Sequence, residues 1–272
     1  MKVHFTNKIL WRNFLKVVSV VTAALSLVLT VIDLNQKPKI IITVIVFVCL
    51  LLIFIAMWIY ANKKQSRKLT INRTDVVIKY GDIFKESGMK VIAFNEFLDT
   101  KVDNNVIGET TLNGQFIKQY SKGAMEIDSA IEAEARLKCN IAEENVNRPY
   151  GGKTTRYKLG SICPVDDYFI LAFTHFDDDN KAHLSVEDYI SCLMHMWNEL
   201  DRYYAGRPIA ITLLGGGITR FNDSEISPQE LLKYIIMTYK ASKVQFTNTS
   251  SLTIVLSEKV KDKINLYNIQ ED

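Results

Sequence analysis

The sequence predicts an α/β protein that begins with two transmembrane helices and continues as a layered domain of alternating strands and helices. Three observations lead to this prediction. Two long uncharged stretches lie within the first 61 residues. Later in the chain, apolar strand-like runs alternate with helical patterns, as in an α/β sandwich. The uninterrupted apolar run IAITLL at 209–214 is typical of a strand buried on both faces of a sheet.

The first membrane span is predicted at about residues 14–34 and the second at 40–61. No charge occurs from 17 to 32, and snorkelling Lys16 extends the first stretch toward the ~20 residues that a span requires. The second stretch has no charge and ends with Trp58 and Tyr60, which suit a membrane interface. No small-residue cleavage pattern follows the first span, so we expect a retained helical hairpin over residues 1–61 and not a cleaved signal peptide.

The basic residues predict a multi-pass protein of the inner membrane with both termini in the cytoplasm. The loop between the spans carries two lysines, whereas the outer ends of the hairpin carry more basic residues, and such residues concentrate on the cytoplasmic side. The basic residues at the outer ends are Lys2, Lys8, Arg12, Lys16, Lys63, Lys64, Arg67 and Lys68.

Charge and cysteine usage exclude several functions for the part after residue 61. The whole chain carries a net charge of +3, but the hairpin holds six of the 33 basic residues and one of the 30 acidic residues. The remainder is therefore slightly acidic and has no basic stripe, which argues against nucleic acid as a partner. The four cysteines form no CxxC pair, which is typical of a reducing compartment. The scattered histidines lack metal-ligand spacing, so no metal site is expected.

The elements after the hairpin follow in order from local patterns. A polar, basic linker is expected at 62–72 and a cytosolic ligand-sensing domain at 73–272. Strands are expected at 76–80, 91–94, 157–165, 168–176, 209–214 and 251–257. Helices are expected from 112 to 138 with a break at Gly123, after Ser185, after Ser227, and at the end of the chain over 260–267. Ser227 and Glu230 form a capping box around Pro228.

A glycine-rich loop follows the apolar strand at 209–214. In open α/β sheets, ligands bind outside the carboxyl ends of the strands. Gly215, Gly216 and Gly217 permit positive φ and close approach of a ligand, and successive amides in such a turn form a concavity for an anion. Arg220 would add positive charge and Phe221 would stack on a flat ring. The alternative is a plain turn without a ligand, since glycine-rich turns are common. The loop matches neither a Walker nor a dinucleotide-binding pattern.

The order of these motifs resembles the macrodomain, an ADP-ribose-binding module. Gly81-Asp82-Ile83 directly follows the strand VVIKY, and Asn95 ends the next strand. The resemblance implies a three-layer α/β/α sandwich with a mixed sheet. It also implies that Asp82 accepts from the adenine amino group, that Asn95 lies near the distal ribose, and that the glycine-rich loop surrounds the diphosphate.

The resemblance implies a larger set of ligand-binding residues than the glycine loop alone. The usual first glycine-rich loop is missing, and the helix start at 113–116 is expected to replace it beside a phosphate. The expected ligand-binding residues are Asp82, Ile83, Asn95, Gly114, Gln115, Phe116, Gly215, Gly216, Gly217, Ile218, Thr219, Arg220 and Phe221.

Two spans followed by a divergent macrodomain resemble the membrane-anchored macrodomain effectors of Thoeris anti-phage systems. The stretches VIAFNEFLDT and LNGQF contribute to this resemblance. It implies that a TIR-domain enzyme makes an ADP-ribose-derived signal, expected to be histidine–ADP-ribose, and that the signal drives oligomerisation and membrane disruption that end growth of the infected cell. AFNEFLDT replaces the usual asparagine–alanine–alanine–asparagine stretch and the first glycine-rich loop is missing, so a sensor without hydrolase activity or catalytic residues is expected. No cofactor is expected.

Two other functions stay open from the residues alone. A membrane-tethered hydrolase of ADP-ribose linkages would need a positioned base, for which Glu96, Asp99 and Asp103 are candidates. These three carboxylates are expected to be solvated loop charges without paired partners. A membrane anchor for protein partners, with no nucleotide bound, is the third possibility.

Overall fold

The computed structural model describes residues 3–31, 36–149, 151–222, 225–246 and 250–269. The chain divides into two compact units. One unit holds the residues up to Arg67 together with the segment that begins at Asn265, and the other holds residues 68–264.

The first unit contains the two predicted membrane helices. Helix α1 runs over Lys8–Val31 and helix α2 over Gln36–Lys63. Both are long and apolar enough to cross a membrane, judged by length and composition. The end of the first predicted span at 32–34 and the start of the predicted loop at Asn35 lie outside the described residues.

One end of the hairpin binds the N-terminal segment of the chain. Trp58 donates from its indole Nε1 to the carbonyl oxygen of Val3 at 2.7 Å, and the Asn62 side chain accepts from the Val3 amide at 2.8 Å. The ring of Phe5 stacks on that of Trp58, with 4.4 Å between the centroids. Trp58, predicted only as an interface residue, therefore also fixes the N-terminal segment on α2.

The stretch expected to be a linker at 62–72 is largely ordered secondary structure. It contains the end of α2 and strand β1 (Ser66–Ile71). Leu69 and Ile71 are buried while Lys68 and Thr70 are exposed. This two-residue alternation is that of a half-buried strand, and the basic residues around it masked the pattern in the sequence.

The main sheet lies in the second unit apart from the first two residues of β1. Its strands are β2 (Thr74–Tyr80), β3 (Met89–Asn95), β6 (Ile162–Val165), β7 (Tyr168–Phe176), β8 (Ala182–Leu184), β9 (Ile209–Thr212), β10 (Arg220–Phe221) and β11 (Ser251–Leu256). Among the described residues the order is β1-β2-β11-β9-β3-β7-β8-β10, with β6 beside β7. Strands β2, β11, β9, β3 and β7 are parallel neighbours, and β6 and β8 are antiparallel to β7. The sheet is therefore mixed, as expected.

Helices cover both faces of this sheet. One face carries α3 (Leu112–Gln115), a π-helical turn (Phe116–Tyr120), α4 (Ala124–Ala133) and α5 (Ala135–Cys139), and the other carries α6 (Val186–Tyr203) and α7 (Pro228–Ser242). The side chains of strand β7 alternate between the two faces of the sheet. Ile170 and Ala172 join the core on the α3–α5 side, whereas the rings of Phe169 and Phe173 approach aromatic residues of α6. The expected three-layer sandwich and the break at Gly123 are confirmed.

Two segments differ from the sequence prediction. The run 157–165 splits into β5 (Arg156–Tyr157), which pairs with β4 (Ile141–Glu143), and β6. The break falls at Gly160, whose φ is +90°. The closing helix expected at 260–267 is replaced by two short 3₁₀ turns, Glu258–Val260 and Leu266–Asn268. The side chains of Ser257 and Asn265 cap these turns, and such local bonds compete with a continuous helix.

Candidate ligand-binding site

The carboxyl ends of four parallel strands bring most of the expected binding residues to one edge of the sheet. Strand β11 lies between β2 and β9, and β3 lies on the other side of β9. Asp82 comes two residues after β2, Gly215 three residues after β9, and Asn95 is the last residue of β3. The Gly81 amide donates to the carbonyl oxygen of Leu256 at 3.0 Å, which fixes the start of the Gly-Asp-Ile stretch on the end of β11.

Asp82 lies at the surface of this edge and caps a short helical turn. One of its carboxylate oxygens accepts from the Phe84 amide at 3.1 Å. Ile83, expected to touch the ligand, is buried in the core and leaves only its backbone at this edge. The ring of Phe84 stacks on that of Tyr120, with 3.8 Å between centroids and 3° between the planes. No local pattern indicates this flat aromatic pair beside Asp82, because 36 residues separate its members.

The glycine loop is held at both ends by aromatic side chains. Gly215 has a φ of +80°, and a Cβ there would lie 3.1 Å from Cζ of Phe221. Phe221 is half-buried and meets the ring of Tyr189 edge-on at 5.6 Å. The Tyr189 hydroxyl donates to the Leu214 carbonyl oxygen at 2.9 Å. Phe221 therefore supports the loop, and its ring is not fully free to stack on a ligand as expected.

The middle of the loop presents unused amides. The Gly216 amide donates to the Leu213 carbonyl oxygen, whereas the amides of Gly217, Ile218 and Thr219 have no hydrogen-bond acceptor among the described residues. Gly217 and Ile218 are exposed, and a Cβ added at Gly217 would meet open space. Three successive amides in one turn can bind a phosphate group, and the exposed Arg220 follows them.

The helix start at 113–116 does not offer comparable donors. The Thr111 side chain accepts from the Gly114 amide at 3.2 Å, and the Gln115 amide donates to the Thr111 carbonyl oxygen at 2.9 Å. The Phe116 amide donates within the helix, and its ring is fully buried. The Gln115 side chain donates to the Thr110 carbonyl oxygen at 3.0 Å. The geometry therefore does not support the expected phosphate contact at Gly114, Gln115 and Phe116.

The side chain of Asn95 stabilises the turn that follows β3. Its side-chain oxygen accepts from the amides of Phe97 and Asp99, and its side-chain nitrogen donates to the Asp99 carboxylate at 2.9 Å. Asn95 is 2% exposed. The expected distal-ribose contact would require these internal bonds to break, so the structure favours a turn-capping role for Asn95.

Asp99, expected to be a solvated charge, is a buried ion-pair partner. Arg148 Nη1 lies 2.6 Å from its carboxylate, and the side chains are 6% and 1% exposed. Asp99 also accepts from the Lys153 amide at 2.6 Å. The Arg148 guanidinium lies 4.2 Å from the ring centroid of Phe97. Since 49 residues separate the pair, nothing local in the sequence indicates it.

Glu96 is also buried and paired, contrary to expectation. His175 Nδ1 lies 2.6 Å from one Glu96 oxygen, and the Phe176 amide donates to the other at 3.3 Å. This hydrogen bond to Glu96 raises the pKa of His175, and burial opposes the shift. Asp188, at the start of α6, has a carboxylate oxygen 3.8 Å from Nε2 of the same ring. His175 therefore joins the ends of β3 and β7 to the start of α6.

The third expected carboxylate, Asp103, is satisfied locally. It accepts from the amides of Asn105 and Val106, and the Val106 bond contributes most to a pKa of about 2. In the part of the chain that the structure describes, no group of three or more histidine, cysteine or acidic side chains is placed to hold a metal ion.

A small open groove adjoins the buried Arg148 pair. Its walls include Phe97, Arg156, Phe176 and Asp178. None of the expected ligand-binding residues lines it. Within the described residues, the groove is therefore distinct from the glycine loop.

The sequence matches a known protein family over most of this unit. The family described as "Thoeris protein ThsA, Macro domain" matches residues 76–257. A relative from Bacillus amyloliquefaciens (strain Y2), named Thoeris protein ThsA, is 39% identical over 269 residues. That alignment covers 97% of this chain and 90% of the relative, so it includes the hairpin as well as the sheet.

Solved macrodomain structures are more distant. One point mutant of the Oceanobacillus iheyensis macrodomain matches with 15% identity and a TM-score of 0.44, over 75% of this chain and 90% of that one. Another point mutant of the same macrodomain, solved with ADPR, matches with 14% identity and a TM-score of 0.45, over 74% and 94% of the two chains.

Replacing Arg148 by methionine is expected to destabilise the second unit by about 3–5 kcal/mol, because it leaves the buried Asp99 carboxylate without its cation. Denaturant unfolding of the purified protein, followed by tryptophan fluorescence, measures this loss. The matched control is the double variant Arg148→Met with Asp99→Asn, which removes both charges and should recover part of it. A loss below about 1 kcal/mol in the single variant, the value of an exposed pair, would contradict the assigned role.

Proposed function

The chain belongs to the Thoeris ThsA macrodomain family, and we propose that it is a membrane effector of anti-phage defence that binds an ADP-ribose-derived signal. The observation that carries this proposal is the row of unused amides at Gly217, Ile218 and Thr219, at the same sheet edge as Asp82. A pyrophosphate needs several donors in one concave turn, and an adenine amino group needs an acceptor nearby.

Each part of the ligand has a matching group. The loop amides and Arg220 bind the pyrophosphate, and the second oxygen of Asp82 accepts from the adenine amino group. The stacked rings of Phe84 and Tyr120 offer a flat apolar surface beside that contact. The proposed signal is a histidine–ADP-ribose conjugate made by a TIR-domain enzyme, as the resemblance to Thoeris effectors implies.

The pairing of the candidate carboxylates favours a receptor over a hydrolase. A general base needs a free carboxylate within reach of a water molecule. Glu96 is bonded to His175, Asp99 to Arg148, and Asp103 to two backbone amides. Release of free ADP-ribose from ADP-ribosylated substrates by the purified protein would instead support the hydrolase.

Membrane disruption follows from the covalent link between each hairpin and its cytosolic unit. Apolar helices gain little from association in lipid, because lipid is as apolar as the helices. Ligand-driven association of the cytosolic units raises the effective concentration of the hairpins in the inner membrane, with both termini in the cytoplasm. The signal must bind the assembled state more tightly than the resting state to drive oligomerisation and membrane disruption.

Replacing Asp82 by alanine is expected to weaken ADP-ribose binding by about 1.5–3 kcal/mol, the value of a hydrogen bond to a charged group. Calorimetric titration of the detergent-solubilised protein with ADP-ribose, NAD and the histidine conjugate measures this, and the conjugate should bind best. Lys85→Ala, an exposed change in the same turn, is the control. If neither wild type nor variant binds any of the three nucleotides, the protein is better explained as an anchor for protein partners.

Replacing Gly217 by alanine is expected to leave the unfolding midpoint unchanged and to weaken ADP-ribose binding at least about tenfold, since the new methyl group points into open space that the ligand would occupy. Thermal unfolding and titration of the same sample separate the two effects. The matched variant Gly215→Ala should lower the unfolding midpoint, because its φ of +80° is strained for alanine. Full affinity in Gly217→Ala would place the ligand elsewhere.

A further inference from the structure

The C-terminal turn of the chain is built into the membrane hairpin. Tyr267 packs against the small cluster of Val3, Leu10 and Ala61, and its hydroxyl accepts from the Asn13 side chain at 2.9 Å. The side chain of Asn7 donates to that of Asn268 at 2.8 Å. The turn Leu266–Asn268 thus contacts the start of α1 through packing, one hydrogen bond to Asn13 within the helix and one to Asn7 directly before it. We call this set of contacts the C-terminal latch.

The latch covers polar side chains at the start of α1 that can bond to another helix. Leu10 is completely buried, whereas most of α1 is exposed. Asparagine side chains can form hydrogen bonds across a pair of packed helices. The latch provides hydrogen-bond acceptors for the side chain of Asn13, in the second turn of α1, and for that of Asn7, directly before the helix. If the latch opened, both asparagine side chains would be available to the hairpin of another copy, while Leu10 would stay packed against Val3 and Ala61.

The segment that forms the latch continues directly from the proposed ligand-binding edge. Strand β11 lies between the strand that precedes Asp82 and the strand that precedes the glycine loop. Its last residue, Leu256, accepts from the Gly81 amide. The connection 257–264 leads from β11 to Asn265. Ile264, at the end of this connection, accepts from the Tyr80 hydroxyl at 3.3 Å.

We infer that the C-terminal latch is an autoinhibitory contact that occupies the α1 surface through which a second copy binds. This inference rests on the proposed function only for its trigger. A ligand held by Asp82 and the glycine loop contacts segments on both sides of β11, and a shift of the end of β11 is passed along the chain to Asn265. The latch bonds are neutral and partly exposed, so a modest preference of the ligand for the open state is sufficient to release them.

The test compares association of full-length protein in liposomes of phosphatidylethanolamine and phosphatidylglycerol without any ligand. Energy transfer between donor- and acceptor-labelled copies reports association. Tyr267→Phe removes only the hydrogen bond to Asn13 and should raise the association constant about two- to tenfold, the factor that one neutral hydrogen bond corresponds to. Tyr267→Ala also removes the packing and should raise it further. Lys263→Ala, an exposed change in the connection outside the latch, is the control and should match wild type.

Ligand-free association of Tyr267→Ala at or below the level of the control overturns the latch. A variant that associates like wild type without ligand but no longer responds to ADP-ribose also overturns it, because the turn would then transmit the signal and not restrain the helix. Calorimetric titration of the same samples with ADP-ribose tests the proposed function separately. Absence of ADP-ribose binding in wild type removes the trigger, while the ligand-free comparison still decides whether the latch restrains association.

Discussion

The parallel alignment of β2, β11 and β9 determines where Asp82 and the start of the glycine loop lie. Asp82 and Gly215 are far apart in sequence, yet both follow strands that flank β11. The register is well specified because these strands are buried: Ile78, Ile254 and Ile211 are at most 1% exposed. A slip by one residue would turn each of these side chains to the opposite face. Burial of apolar strands thus fixes the position of polar groups at their ends.

Internal hydrogen bonds distinguish the polar groups that stabilise the fold from those that are available to a ligand. Asn95 and the amides of 114–116 are hydrogen-bonded within the chain, and Glu96 and Asp99 are buried with basic partners. Buried charges require such partners, because desolvation is costly without them. The amides of Gly217, Ile218 and Thr219 have none among the described residues. This contrast favours recognition of a ligand over chemistry on it.

Local sequence patterns predict the structural elements that depend on residues close together in sequence. They do not predict contacts between residues that are far apart in sequence. The two apolar helices, the layered sheet, the break at Gly123 and the capping box at Ser227 are each visible within a few residues, and the structure confirms them. The pairing of Asp99 with Arg148 and the stacking of Phe84 on Tyr120 join separate elements, so no local pattern shows them. The ribose contact of Asn95 rests on family resemblance, and the chemistry of its side chain suits a turn cap equally well. Strand β1 escapes prediction because Arg67 and Lys68, on its two faces, hide the two-residue alternation of Leu69 and Ile71.

Selective labelling with ¹⁵N-glycine gives the most direct test of whether the unused amides of the glycine loop bind a pyrophosphate. The chain has 12 glycines, so the amides of Gly114 and Gly217 can be followed in one spectrum of the detergent-solubilised protein. Titration with ADP-ribose is expected to shift the Gly217 amide downfield and saturably, as a new hydrogen bond to phosphate requires, while Gly114 keeps its position. A shift confined to Gly114, or no saturable shift at Gly217, would contradict the account.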